Sequence, residues 1–178
     1  MQTDQSQQQP LKNGGLNKTA FAWLLFSAVI VVLDLWTKQI ATDSLTLYRP
    51  VELTPWLNMT LAHNYGAAFS FLSDAGGWQR WLFTGLASVI TVVLVVWLLR
   101  LPTNEKLIAA ALSLVIGGAV GNLIDRMVNG YVVDFIDVFY KTHHWPAFNL
   151  ADSAITCGVI LLLVDGIFFA SAKPDKAA

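Results

Sequence analysis

The stretch WQRWLFTGLASVITVVLVVWLL, residues 78–99, decides the fold class of this chain. After Arg80 it contains no charged residue, and it is long enough for a membrane helix, which needs about 20 mostly apolar residues. Three further stretches have the same character, at about 20–40, 107–127 and 149–170. The sequence therefore predicts an all-α polytopic membrane protein with four transmembrane helices.

The composition of the whole chain agrees with a membrane protein. Of its 178 residues, 55% are hydrophobic and 13% are charged, and the mean hydropathy is +0.54. The net charge of -1 argues against a nucleic-acid partner, because a surface that binds phosphates needs an excess of basic residues. A single cysteine excludes an internal disulfide, and the position of Cys157 in an apolar helix predicts a buried, inert thiol.

Two polar tails and two connections surround the predicted spans. Residues 1–18 and 172–178 predict disordered cytoplasmic tails, which leaves 19–171 as a single membrane domain. Residues 41–77 alternate in places between apolar and polar side chains and contain proline, which indicates a few short strands. Residues 128–148 form the second connection on the same side of the membrane.

The orientation in the membrane is weakly encoded. Four spans put both termini on one side, and we expect that side to be the cytoplasm. The 11 lysines and arginines are divided almost evenly between the two sides, whereas the cytoplasmic loops of membrane proteins usually carry the excess. Several of these residues fall inside polar clusters at the opposite side, where a role in a site would weaken their value as topology signals.

Acidic and amide side chains gather at one end of the predicted helices. Near the end of the third span, Gly118, Asn122 and Asp125 share one helix face at i, i+4 and i+7. At the start of the fourth span, Asn149 and Asp152 share a face at i, i+3. These two faces lie at the same side of the membrane, so their polar groups can converge.

Three more charged residues belong to the same side. Asp34 and Lys38 form an i, i+4 pair near the end of the first span, and Asp134 follows Asp125 by nine residues. A carboxylate near hydrocarbon is costly, so acids in membrane helices indicate a functional site. For each acid taken alone, an ion pair or a helix cap remains the structural alternative.

Converging carboxylates suggest acid–base chemistry. Two carboxylates held close together cannot both ionise easily, so one keeps a proton while the other is charged. The charged one can take a proton from water and the protonated one can donate to a carbonyl oxygen, which hydrolyses a peptide without a metal or other cofactor. Asp152 is one member of such a pair, and the residues alone leave Asp125 and Asp134 open as the other.

Other classes of protein also place acids in membranes. A small transporter or ion-conducting subunit would need polar groups through the full depth, whereas inner halves such as SVITVVLVVWLL (88–99) are apolar. A non-catalytic assembly factor would use the acids as structural ion pairs. Clustered acids also suit calcium or magnesium, and cleavage that a chelator does not inhibit would remove that alternative.

Five motifs, met in order along the chain, closely resemble those of the lipoprotein signal peptidase family, also called signal peptidase II. They are LDLWTK (33–38), HNYGAAFSFL (63–72), GGAVGNLIDR (117–126), GYVVDF (130–135) and FNLADS (148–153). The resemblance extends from about residue 22 to about residue 170.

This resemblance implies an intramembrane aspartyl endopeptidase of the bacterial inner membrane, with its active site near the periplasmic face. The family removes the signal peptide from diacylglyceryl-modified prolipoproteins, cutting N-terminal to the lipidated cysteine. The resemblance assigns the catalytic pair to Asp134 and Asp152 and implies a small sheet lying on the membrane within residues 41–77. The supporting residues are then Asp34, Lys38, Asn64, Gly118, Asn122, Asp125, Arg126 and Asn149.

The expected partners are the prolipoprotein substrates and the phospholipid bilayer, and we expect a monomer. The segment between the two catalytic acids varies within the family. Asp137, His143 and His144 lie in that segment and receive no role from the sequence, and neither does Asp165 near the inner end of the fourth span.

Overall fold

Four helices form the body of the computed structural model, which describes residues 19–66 and 77–169. The helices are α1 (Ala20–Ser44), α2 (Trp78–Arg100), α3 (Lys106–Val128) and α4 (Leu150–Val164), and a π-helical segment, Asp165–Phe169, continues α4. All four are long and apolar enough to cross a membrane, so the predicted fold class is confirmed. The predicted tails and the second part of the motif at 63–72 lie outside the described residues.

α3 is the central helix of the bundle. It packs against α1, α2 and α4, and most of its residues from Ala109 to Asn122 are buried. The exposed surface of α2 is apolar instead, with Val89, Val92 and Val93 among its exposed side chains. Such a surface is suited to lipid, since lipid tails are as apolar as these side chains. The different burial of the two helices explains why polar residues concentrate on α3.

The end of the bundle away from the acids is held together by apolar packing. Its buried cluster consists of Ala20, Leu98, Leu101, Ala109, Leu112 and Ile116. Farther along the contact between α1 and α3, the hydroxyl of Ser27 donates to the carbonyl oxygen of Ser113 at 2.9 Å. Small side chains and interhelical hydrogen bonds of this kind stabilise helix pairs in membranes.

Glycines allow α3 to approach its neighbours at backbone distance. A Cβ on Gly118 would overlap the carbonyl oxygen of Ala151 and lie 2.8 Å from Cγ1 of Ile155, both on α4. A Cβ on Gly121 would overlap the carboxylate of Asp34 on α1. These close approaches set how near the polar ends of α1, α3 and α4 come to one another.

We expect Gly118→Ala to lower the thermal unfolding midpoint in detergent, because α3 and α4 must separate to admit the methyl group. The cost should be about 1–3 kcal/mol, as for other overpacked interiors. Gly85→Ala is the matched control, since a Cβ at Gly85 in α2 meets nothing within 4 Å. Alanine favours the helix there, so equal destabilisation of the two variants would contradict the close-approach argument.

A four-stranded antiparallel sheet lies at the end of the bundle that carries the acids, in the order β1-β2-β3-β4. Its strands are β1 (Val51–Thr54), β2 (Leu57–Asn64), β3 (Val132–Tyr140) and β4 (His143–His144). β2 pairs with β3 along most of its length, with Leu57 opposite Val138 and Asn64 opposite Val132. The sheet therefore joins the two connections that the sequence showed as separate loops.

The predicted small sheet is present, and two of its four strands, β1 and β2, lie between the first two spans as expected. The expectation placed the sheet within residues 41–77, and the structure extends it with β3 and β4, which come from the connection between α3 and α4. Residues 132–135 of β3 are all buried, and β3 contacts both α1 and α3. A strand covered on both faces lacks the alternating pattern of a half-exposed strand, so the pattern did not reveal it.

Candidate active site

Lys38 lies at the centre of a buried ion cluster between α1 and α3. Its Nζ is 2.7 Å from Oδ2 of Asp34 and 3.0 Å from Oδ2 of Asp125, and it donates to Oδ1 of Asn122 at 2.9 Å. The three charged residues are 0–4% exposed. Burying two carboxylates without a counterion would be very costly, so the lysine is needed to keep both in place.

The two carboxylates of the cluster also accept backbone N–H groups. Asp34 accepts from the N–H of Ala151 at 2.9 Å, and Asp125 accepts from the N–H of Val133 at 3.1 Å. The cluster thus ties α1, α3, α4 and β3 together at one place. Ala151 and Val133 each precede one further acid in the sequence, so the cluster fixes the backbone beside that second pair of acids.

Asp152 lies in the first turn of α4, where it forms a capping box with Asn149. Its N–H donates to Oδ1 of Asn149 at 2.9 Å, and its Oδ2 accepts from the N–H of Asn149 at 3.2 Å. Its Oδ1 accepts from Nδ2 of Asn122 at 2.8 Å. These donors and the helix N-terminus stabilise a negative charge on this carboxylate.

Asp134 lies on β3 and is 3% exposed. Asn149 donates to its Oδ1 at 2.8 Å, and Asn64 donates to its Oδ2 at 3.0 Å. Burial, followed by the charge of Asp152, raises the pKa of Asp134 to about 7, although the two asparagines and Lys38 act in the opposite direction. Asp134 therefore holds a proton under conditions in which an exposed aspartate is charged.

The two acids differ in the way that acid–base chemistry requires. Asp152 is at a helix N-terminus and accepts from two donors nearby, whereas Asp134 is buried and its pKa is raised to about 7. The side chain of Asn149 contacts both of them, whereas Asp125 is engaged with Lys38 and Val133 in the ion cluster. The geometry thus pairs Asp152 with Asp134 and separates Asp125 from that pair.

A cavity of about 620 Å³ opens beside Asp152. Asn64, Asn122 and Arg126 line it on the polar side, and its apolar lining includes Trp145, Phe148 and Ile155. The volume is within the range of about 300–1,000 Å³ that is usual for ligand sites. Asp134 is not among the residues that line the cavity, but Asn64, which donates to Asp134, lines it.

Cys157 is exposed, and it lines this cavity. The expectation of a buried thiol was therefore wrong. The apolar sequence of α4 reflects contact with the cavity and with lipid, and a run of apolar residues in a membrane helix does not mean that each of them is covered by protein.

Arg126 links α3 to the end of β2. Its guanidinium donates to the carbonyl oxygen of Gly66 at 3.1 Å and to that of Asn122 at 3.3 Å, and it lies 5.9 Å from the ring centre of Phe83. With Arg126 and Gly118, all ten residues singled out in the sequence lie at one end of the bundle. Within 19–66 and 77–169, no group of three or more His, Cys, Asp or Glu side chains is arranged to hold a metal ion.

Four spanning helices, a sheet at one end and two aspartates in unlike environments, the buried Asp134 and the partly buried Asp152 beside a cavity, define a multi-pass membrane protein with a polar site at one end. Comparison with known proteins identifies the class. Residues 26–168 match the family model described as signal peptidase (SPase) II. The chain belongs to the signal peptidase II family, as the motifs suggested, and it is a peptidase of this bacterial family.

Similar proteins include the lipoprotein signal peptidase of Acinetobacter baylyi, 56% identical over 155 residues, which are 87% of each chain. The lipoprotein signal peptidase of Vibrio cholerae is 44% identical over 164 residues, 91% of this chain and 96% of that one. A bacterial membrane enzyme solved by the in meso method at 2.3 Å resolution superposes with a TM-score of 0.77 at 33% identity. The superposition covers 89% of this chain and 94% of that structure.

Proposed function

We propose that this chain removes the signal peptide from diacylglyceryl-modified prolipoproteins, cutting N-terminal to the lipidated cysteine. The observation that carries the proposal is the pairing of Asp134 and Asp152 through Asn149, beside a cavity, in a chain of this family. Residues 19–171 act as one domain of the inner membrane, with both termini in the cytoplasm and the acids near the periplasmic face.

In the proposed mechanism Asp134 is protonated at rest and Asp152 is charged. Asp152 takes a proton from a water molecule in the cavity as the water oxygen bonds to the scissile carbonyl carbon, and Asp134 gives its proton to the carbonyl oxygen. In the second half, Asp152 returns its proton to the leaving nitrogen while Asp134 takes one from a hydroxyl of the intermediate. The C–N bond breaks, and each acid recovers its resting state.

Four asparagine and arginine side chains support this cycle. Asn149 and Asn64 hold the two oxygens of Asp134, and Asn122 orients Asp152. Because Asn64 lines the cavity and donates to Asp134, which does not line it, we expect the substrate backbone to take over part of the bonding of Asn64 to reach the acid. Such rearrangement is common, since catalytic hydrogen bonds often tighten only when substrate binds. Arg126 lines the polar side of the cavity and is assigned to the substrate backbone.

The apolar part of the site fits the substrate near the scissile bond. Trp145, Phe148 and Ile155 provide surface for apolar side chains, and the exposed flanks of the helices provide surface for the diacylglyceryl chains in the bilayer. The peptide would lie across the sheet, and one copy of the chain would be sufficient. Asp34 and Lys38 brace α1 against the site through the ion cluster.

The proposal is tested with purified protein in detergent and two substrates, a diacylglyceryl prolipoprotein and the same chain without lipid, each in the presence of a chelator. We expect cleavage of the lipidated substrate alone, with a product mass that begins at the lipidated cysteine. Equal cleavage of both substrates would contradict the substrate class. Inhibition by the chelator would contradict the metal-free mechanism, and absence of cleavage would contradict the function.

We expect the rate of cleavage to fall as the pH rises through about 7. Because the pKa of Asp134 is raised from 3.8 to about 7, the proton needed by the carbonyl is present below pH 7 and is lost above it.

The same shift means that the folded protein holds this proton more tightly than the unfolded chain does. The stability contributed by the shift is therefore complete below pH 3.8 and lost as the pH rises through about 7.

The measurement is kcat against pH, with the folded fraction determined at each pH. The apparent pKa of the alkaline limb belongs to the pair of acids rather than to one residue. A rate that stays constant through neutral pH into the alkaline range, with the protein folded throughout, would contradict a protonated Asp134.

A further inference from the structure

Asp137 is a buried acid on β3 that the proposed mechanism does not use. Its carboxylate accepts from Nδ2 of Asn58 at 3.0 Å and from Oγ1 of Thr60 at 3.4 Å, both on β2. On the other side it lies 2.8 Å from Nδ1 of His144 on β4. One carboxylate therefore joins three neighbouring strands at the end of β3 that lies beyond Asp134.

The ring of His144 is held on two sides. It stacks on the ring of Phe139 with 5.2 Å between the ring centres, and its Nδ1 contacts both oxygens of Asp137. β4 is only two residues long, and Phe139 and His144 face each other across the pairing with β3. Side-chain contacts are thus a large part of what attaches so short a strand.

The segment that follows β4 forms a wall of the cavity. Residues 145–148 line the cavity and lead directly into Asn149, the N-cap of α4. Near the acids the wall is attached by hydrogen bonds in both directions between Phe148 and Ile136, at 2.9 and 3.0 Å. At the other end of the wall, the N–H of Trp145 donates to the carbonyl oxygen of Val138. The residue before Trp145 is His144, which is held by the contacts of β4.

We propose that the Asp137–His144 pair positions this cavity wall, residues 145–148, for substrate binding, and that both are positioning residues for the peptidase reaction. The inference rests on the proposed function. Asp134 and Asp152 are held by their own amide contacts, so loosening the wall changes how well substrate binds rather than how fast bound substrate reacts. Interactions of this kind appear in KM and not in kcat.

The test compares kcat and KM for a diacylglyceryl prolipoprotein among three variants. His144→Ala is expected to raise KM about five- to tenfold and to change kcat less than about twofold, as for loss of one ordinary hydrogen bond. His144→Asn, whose amide can donate to Asp137, should recover most of the loss. His143→Ala is the matched control, because His143 is exposed and its side chain makes no hydrogen bond or ion pair with the described residues.

Two results would overturn the inference. One is a fall in kcat in proportion to the folded fraction with KM unchanged, which indicates a contribution to stability alone. The other is a KM for His144→Ala equal to that of the parent. Asp134→Asn is measured alongside: if it is inactive while the His144 variants match the parent, the positioning role fails and the proposed function stands. If Asp134→Asn cleaves normally, the dyad assignment fails, and the inference fails with it.

Discussion

Asp134→Asn and Asp152→Asn are each expected to cleave prolipoprotein at least about 10³-fold more slowly than the parent, since a positioned acid or base contributes roughly 10²–10⁴-fold and both steps of the cycle need each residue. Asparagine keeps the size of the side chain but neither gives nor takes a proton. Both variants should fold. Asp134→Asn also removes a buried acid with a raised pKa, so in the alkaline range it should unfold at a temperature no lower than the parent does.

Two other aspartates serve as controls for this result. Asp43→Asn changes an exposed residue near the end of α1 that bonds only to Gln39 among the described side chains, and it should leave the rate unchanged. Asp125→Asn tests the alternative that the sequence left open. If Asp134→Asn cleaves at the parent rate and Asp125→Asn is folded and inactive, the pair has been misassigned.

Lys38→Met is expected to destabilise the fold strongly. It leaves Asp34 and Asp125 buried with no counterion, and removing one partner from a buried ion pair costs about 3–5 kcal/mol. Because these carboxylates hold the backbone at Ala151 and Val133, the variant should lose activity together with stability. The measurement is the yield of folded protein and the thermal unfolding midpoint in detergent.

Lys106→Met is the matched control, because Lys106 is an exposed lysine at the start of α3. It should unfold within a few tenths of a kcal/mol of the parent, as is usual for exposed sites. Adding Asp34→Asn and Asp125→Asn to Lys38→Met should restore part of the lost stability, since the unpaired charges are then gone. If Lys38→Met is as stable as the parent, the cluster does not hold the helices together as described.

The sequence predicts the four spans because length and hydropathy are local properties. α1 extends to Ser44 rather than to about residue 40, and α2 begins at Trp78 as expected. The sheet was harder to predict, since β3 pairs with β2 across the whole of α2 and α3. Its buried residues also form a nearly continuous apolar run, which periodicity alone does not distinguish from a buried helix.

The convergence of polar groups at one end was also predictable, but the pairing of the acids was not. Whether Asp152 meets Asp125 or Asp134 depends on the turn after α3, which brings β3 back beside the N-terminus of α4. Spacing along the chain carries no information about that return, and only the family motifs favoured Asp134. Asp137 and His144 were missed for a similar reason, because their contact depends on the register of β3 and β4.

The protonation state of Asp134 near neutral pH tests the proposed acid–base pair of Asp134 and Asp152. Infrared difference spectra of the parent against Asp134→Asn, recorded across a pH series, separate a protonated carboxyl group from a carboxylate. We expect a protonated-carboxyl band that is absent from Asp134→Asn and disappears as the pH rises through about 7. A carboxylate at this position throughout the mildly acidic range, titrating near the ordinary value of 3.8, would contradict it.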